Sequence, residues 1–346
     1  MGSLFGLCIM ELPDNRPISS SILLTGAGFT HNFGAPLAEG MWSLIFSHPS
    51  VSSEKRVKSL LRDNFDFEDV YHEVVKSGNY GEEENSAISD AIISAYEAID
   101  VNLINWSFDE SAAYPVNIYQ LTELINLFSD NGRKLGFFFT LNQDLFIERH
   151  YHSNHLTVVP GIPIHDRSDW FTHRFNQPID RQNYSILPGP DEAESAANKD
   201  LLDYKCCYVK LHGSFGWRSH DGSLQIVIGR GKEESISEEP LLKWNFSLFE
   251  TVLRMPERRL LVVGYSFRDK HVNNIIASAL RECGLRLFII DPLRPGEFRD
   301  FTKNQERGEE IWKGVEGYFP YSLLQLYPKD QTRTGEAKRL QEILFG

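Results

Sequence analysis

The chain has 346 residues, 41% hydrophobic and 12% aromatic, which is material for one large core or two modest ones and excludes a disordered or low-complexity protein. Its 35 basic residues against 48 acidic give a formal charge of −13, which excludes broad, self-sufficient binding to nucleic acid or an anionic membrane by phosphate neutralisation. The four cysteines, Cys8, Cys206, Cys207 and Cys283, contain no CxxC pair, so they predict neither a zinc module nor a disulfide framework and fit a reducing cytoplasm.

Residues 1–19 carry Pro13, Asn15 and Pro17 and read as an arm leading into the first strand. The apolar stretch Ser3 to Met10 is too short to span a bilayer and lacks the basic start of a secretory signal. Ile22, Leu23 and Leu24 then form an apolar run cut off by Gly26-Ala27-Gly28, the pattern of a strand buried on both faces of a parallel sheet. Without a Cβ at Gly26 and Gly28 the backbone can turn sharply and bring its amides against a phosphate, and a helix predicted over 34–47 would point its positive end at the same anion. Taken alone, the same pattern equally describes an ordinary strand-to-helix turn.

From residue 52 to 131 apolar residues recur at helical spacing, among them Phe67, Val70, Tyr71 and Val74, then Ile88, Ala91, Ile92 and Ala95, and Pro115 opens a further helix through Phe128. This stretch is predicted as a helical insert. Leu135 to Thr140 restores the sheet and ends in Leu141-Asn142-Gln143-Asp144, followed by a helix through Phe146 and Ile147 and a short strand near Leu156 to Val159. Residues 160–203 are rich in proline and aromatics and are predicted as a loop-rich insert, either a lid or an oligomer contact.

Cys206 to Leu211 is the next strand and delivers His212-Gly213-Ser214, with a hairpin strand at Gln225 to Ile228 closed by Asp221-Gly222. A helix over Leu241 to Leu253 precedes the strand Arg259 to Gly264, which ends in Tyr265-Ser266-Phe267. Asp269 reads as the cap of the following helix. Leu285 to Ile290 is a further strand ending at Asp291-Pro292, and residues 301–346 form a tail that packs on the domain or in an oligomer interface. Strands alternating with helices predict an α/β fold, a doubly wound parallel sheet of Rossmann type over 20–300 with two inserts.

In such a sheet ligands bind beyond the carboxyl ends of the strands. The glycine turn, Asn142 and Asp144, His212, Gly264-Tyr265-Ser266 and Asp291 all fall at strand ends, a convergence that packing alone does not explain. Taken together, GAGFTHNFGAP at 26–36, TLNQD at 140–144, KLHGS at 210–214 and VGYSFRD at 263–269 resemble, in the same order, the motifs of the sirtuin family, the relatives of silent information regulator 2. The chain departs from the protein-deacylating members in lacking their zinc module and in having Ala38-Glu39 and Leu141 where they carry Phe-Arg and Gln. Its LHGS and GYSFxDxHxN forms look instead like the sirtuin-like domains of bacterial antiphage defence. That resemblance implies an NAD+ glycohydrolase that depletes NAD+ and pairs with a HerA-type hexameric ATPase through which any nucleic acid would be met. A homo-oligomer is expected separately, from the two inserts and from the tail aromatics Tyr318, Phe319 and Tyr321, which read as interface core. Two alternatives stay open: an NAD-dependent deacylase, and a non-catalytic NAD or ADP-ribose sensor that regulates a partner.

The resemblance implies roles for single residues. His212 is the base or partner of the ribose hydroxyls, Asn142 orients water and ribose, and Asp144 holds the nicotinamide carboxamide, or equally caps the helix beside it. Gly26, Ala27 and Gly28 give amides to the pyrophosphate, Thr30 a hydroxyl, and Phe29 or Phe33 a wall over the nicotinamide ribose, Phe33 being equally readable as core. Gly264, Tyr265, Ser266 and Asp291 form the adenosine side; for Asp291 a turn before Pro292 is an equal reading. His31, His271 and Asn273 fall near the crevice as secondary residues, and no metal site is expected from their spacing.

Overall fold

The computed structural model describes residues 17–105, 116–150, 156–158, 185–189, 192, 205–219, 224–329 and 333–346. Most of the expected arm, Pro115, the Asp221-Gly222 turn and nearly all of the 160–203 insert lie outside these residues. Seven strands form one sheet: β1 (Ile18–Thr25), β2 (Leu135–Thr140), β3 (Leu156–Val158), β5 (Cys206–Lys210), β8 (Arg259–Val263), β9 (Arg286–Ile290) and β10 (Val315–Phe319). A second, three-stranded sheet holds β4 (Ser185–Ile186), β6 (Gly213–Arg218) and β7 (Leu224–Ile226).

The order across the large sheet is β10, β9, β8, β1, β2, β5, β3, and every pair in it is parallel. This is the expected doubly wound α/β fold. Parallel strands covered on both faces need apolar residues at every position rather than at alternate ones, and Ile22, Leu23, Leu24, Phe137, Phe138, Phe139 and Leu260 to Val262 are all buried. From β1 the chain winds one way through β2 and the other way through β8, so the crevice between the ends of β1 and β8 is the switch point of the sheet.

Two expectations change. The helix after β1 is not the 34–47 segment but the short Ala27–His31, with Gly26 as its N-cap, so Gly28 lies inside a helix rather than ahead of one. Gly34 at φ 93° and Pro36 break the chain, and the next helix, Ala38–Phe46, packs on the long helix Glu82–Asn105 of the helical insert instead of facing the crevice. The insert is pinned to the sheet by the buried Arg149–Asp100 pair, bidentate at 2.6 Å, which joins Glu82–Asn105 to the helix Phe146–His150 after β2.

The tail is also different in detail. Residues 315–319 add the seventh strand, and the tail aromatics pack on the domain, one of the two expectations for them: Tyr318 lies 5.1 Å from Phe298 and 6.2 Å from Trp312 between ring centroids, and Phe319 is buried. A strand was not expected there because the alternating pattern of an edge strand is interrupted by Gly317, which fits against the Phe288 ring.

Candidate functional site

At the switch point two backbones touch. A Cβ at Gly26 would lie 2.8 Å from the Gly264 oxygen, one at Gly28 2.8 Å from Gly264 Cα, and one at Gly264, whose φ is 63°, 2.4 Å from the Gly28 carbonyl carbon. The glycines are therefore fixed first by the approach of the β1 and β8 loops. The same approach commits their amides: Gly26 donates to Val263 O at 3.1 Å and Gly28 to Gly264 O at 2.9 Å. Of the three amides assigned to the pyrophosphate, only that of Ala27, exposed at the first helical position, is clear of these bonds. Phe29 and Phe33 are likewise core rather than a wall over the ribose, because the sheet and the helix Phe146–His150 close over them; Phe33 stacks on Phe146 at 4.1 Å.

Asn142 is brought to this turn by the continuation of the β1–β2 ladder, in which Leu141 N bonds Thr25 O at 2.9 Å and Thr140 Oγ1 accepts from Asn142 N at 3.0 Å. Its side-chain amide nitrogen donates to Gly26 O at 3.0 Å and to Thr30 Oγ1 at 3.3 Å, so neither bond engages its carbonyl oxygen. Asp144 takes the capping role: Oδ1 accepts from Phe146 N at 3.0 Å. Burial pushes its carboxyl up, opposed by Lys210. Lys210 is wholly buried, 2.8 Å from Glu148 Oε1, and also donates to the Asp144 carbonyl.

Gln143, between these two, carried no assigned role. Its amide nitrogen donates to His212 O at 3.2 Å and Val227 O at 2.8 Å, its carbonyl oxygen accepts from the Tyr96 hydroxyl of the helical insert, and its backbone oxygen accepts from Phe215 N at 2.8 Å. It thus ties the ends of β2 and β5 to the β6–β7 hairpin. Gly213, at φ 76°, makes the turn from β5 into β6, where a Cβ would sit 2.2 Å from Gln225 O. His212 is held between these anchors.

The His212 ring is buried, and its Nε2 lies 2.8 Å from His271 Nε2. Two imidazole nitrogens at that distance share one proton. Burial drives the His212 pKa well down; it lowers that of His271 to about 4, against the opposing pull of Asp269. Asp269 stands at the N-cap position of the helix Lys270–Cys283 but makes no side-chain cap, contrary to expectation; its Oδ1 takes the Lys232 ammonium at 2.9 Å instead. Burial alone would raise its carboxyl, but Lys232 and the two imidazoles outweigh this and hold it well below the carboxylate range. Lys232 also bonds Glu68 Oε2 of the helical insert at 2.7 Å. His271 was legible only as a secondary residue, and Lys232 and Glu68 gave no signal because they are distant in sequence.

His212, Asp269 and His271 place three donor atoms within 4.8 Å of one another, a set that spacing did not foretell as a metal centre. As they stand, the carboxylate is occupied by an ammonium, and the two Nε2 atoms are 2.8 Å apart, against about 3.3 Å for two nitrogens on a tetrahedral ion. In this arrangement the two imidazoles share a proton and Asp269 Oδ1 is engaged by Lys232.

In the loop expected to meet adenosine, Gly264 is half-buried and Ser266 is exposed. Tyr265 is turned inward, its hydroxyl 3.1 Å from Asn273 Oδ1 and accepting from Asp269 N at 3.1 Å, so it shapes the loop rather than meeting a ligand. Asp291 Oδ1 accepts from Leu293 N at 2.9 Å, the turn before the next helix, and burial raises its carboxyl. An open depression lined by Lys303, Arg307, Glu309, Glu310 and Lys313 offers no rival site, since its charges pair with one another.

The family model described as SIR2-like domain matches residues 136–314, from β2 to the helix before β10. No curated protein matches the chain. The matched span includes Asn142, His212, Asp269 and His271 and leaves out β1 and its glycine turn, which the fold places at the centre of the same sheet. Among the described residues no helix is long and apolar enough to cross a membrane.

Proposed function

The chain belongs to the SIR2-like domain family, whose members use NAD as a substrate, and from that premise we propose that it is an NAD+ glycohydrolase. The observation that carries the reading is the joining of Asn142 to the glycine turn, with a buried neutral imidazole, His212, at the neighbouring strand end. Cleaving the nicotinamide bond requires a desolvated ribose, a stabilised oxocarbenium-like carbon and a placed water. Pyridinium leaves as neutral nicotinamide, so no general acid is needed. The one proton released as water adds is taken by a base, and His212 is the group suited to it. The Asn142 carbonyl oxygen would orient the water or a ribose hydroxyl, and the Ala27 amide and Ser266 would meet the phosphates and adenosine ribose.

The chemistry uses no metal. The acidic, zinc-module-free chain is read as acting in antiphage defence by depleting NAD+, as a cytoplasmic homo-oligomer with a HerA-type ATPase; support for that setting is the motif form at 263–273. Incubation of the purified chain with NAD+, alone and with such an ATPase, followed by chromatography should give equimolar nicotinamide and ADP-ribose. His212→Ala and Asn142→Ala should each cut turnover by about two orders of magnitude. Turnover near the parent's in both folded variants, or one zinc per chain on elemental analysis, would sink the assignment.

A further inference from the structure

Each imidazole has two nitrogens, and the His212 ring has already spent one of them on His271. We propose that His271 is a positioning residue for His212: it engages Nε2, fixes the tautomer, and leaves Nδ1 as the atom of His212 that meets the substrate. The inference rests on the NAD-hydrolase reading and goes beyond it in assigning atoms and a partner. For Nδ1 to accept a proton it must be bare, so His212 carries its proton on Nε2 and donates it to a bare His271 Nε2. His271 then holds its own proton on Nδ1. The tautomers of the two rings are thereby linked.

When a water gives one proton to His212 Nδ1, its oxygen forms the bond to the anomeric carbon as the glycosidic C–N bonding pair leaves with nicotinamide, which gives ADP-ribose. His212 becomes an imidazolium whose Nε2–H stays on His271. The groups facing that charge are defined. Asp269 lies within 4.8 Å, held ionised by Lys232, which reaches in from the helix Lys232–Glu238. Glu68, from the helix Phe67–Lys76, shares that ammonium, and the apolar Phe246 ring closes the remaining side, 5.2 Å from His271 and 6.2 Å from His212. The layout is that of a base oriented by a second group and steadied by a carboxylate, with an imidazole in the orienting place. A merely structural histidine pair needs neither the fixed direction of the shared proton nor the carboxylate.

The test compares His271→Leu, which removes the acceptor, with His271→Gln, whose carboxamide restores one near Nε2, in the full chain under the conditions in which the parent turns over. His271→Leu should lower kcat by about 100-fold with KM for NAD+ within about threefold, and His271→Gln should stay within about tenfold of the parent. The acid limb of the kcat profile should move in His271→Leu. Loss of kcat by the same factor in both variants, or kcat near the parent's in His271→Leu, would overturn the proposal. Nitrogen-15 histidine NMR of the free chain reads the same question without turnover: the expected pattern is a bare Nδ1 on His212 and a bare Nε2 on His271, and the reverse pattern would overturn it. A parent that hydrolyses no NAD+ yet shows the expected tautomers would refute the hydrolase reading and leave the linked pair standing.

Discussion

Gly264→Ala isolates the contact on which the crevice depends. The new Cβ would lie 2.4 Å from both the Gly28 carbonyl carbon and the Phe29 nitrogen, whereas ordinary contact begins at 3.4 Å, so two backbone segments must separate by about 1 Å. Neither is a flexible side chain that can swing aside. Overpacking of this kind costs about 1–3 kcal/mol, and a non-glycine residue in the left-handed region adds about 1 kcal/mol, together about 2–4 kcal/mol. At roughly 2 °C per kcal/mol for a chain of this size, the melting midpoint should fall by about 4–8 °C. The control is Gly284→Ala, at φ 69° with nothing within 4 Å, which carries the conformational term alone and should lose about 2 °C. Because the displaced turn also holds Asn142 through Gly26 O, KM for NAD+ should rise in Gly264→Ala and not in Gly284→Ala. Equal melting shifts in the two variants, with unchanged NAD+ kinetics, would refute the reasoning.

Ala27→Pro removes the one uncommitted amide of the glycine turn while proline suits the first helical position and Gly26 before it is already extended, at φ −125° and ψ −171°. Its melting midpoint should match the parent's while KM rises about tenfold or more, the loss of a hydrogen bond to a charged group; an unchanged KM would place the pyrophosphate elsewhere. Lys210→Met leaves Glu148 buried without its cation and should cost about 3–5 kcal/mol by denaturant unfolding, most of it recovered when Glu148→Leu is added; simple additivity would show the pair to be uncoupled. His271, neutral in the fold with its pKa lowered from 6.5 to about 4, binds a proton more readily when unfolded, so its contribution is complete above about pH 6.5 and is lost as pH falls toward 4. That shift corresponds to about 3 kcal/mol, and His271→Leu should flatten the decline of the melting midpoint between pH 7 and pH 5; an unchanged slope would contradict it.

The sheet was readable because buried parallel strands leave a one-dimensional trace: the apolar runs at 22–24, 137–139, 206–209, 260–263 and 287–290 each lie in a strand of the large sheet. β10 left no such trace because an edge strand is covered less completely, and its alternation is broken at Gly317. The helix after the glycine turn was misplaced because the apolar segment 38–46, the more visible one, packs on the insert; the five-residue helix that faces the crevice is too short for any periodicity.

Within the site, strand-end position was legible and hydrogen-bond commitment was not. Gly26, Gly28, Asn142, His212 and Gly264 do converge, yet sequence could not show that the two glycine amides are taken by the facing loop, or that Phe29 and Phe33 fill core. Both facts follow from one physical cause, the direct contact of the β1 and β8 loops, which uses up backbone donors where a wider crevice would have left them free. On the proposed reading, anion binding then falls to the Ala27 amide and to side chains. Asp269 shows the same displacement: a residue that reads as a helix cap is turned to Lys232, because a partly buried ammonium shared with Glu68 is a stronger partner for a carboxylate than a neutral amide at a helix end. That choice couples the helical insert, through Glu68, Lys232 and Asp269, to the His212–His271 pair. A movement of the helix Phe67–Lys76 would therefore change the charge beside the base before it changed the shape of the crevice.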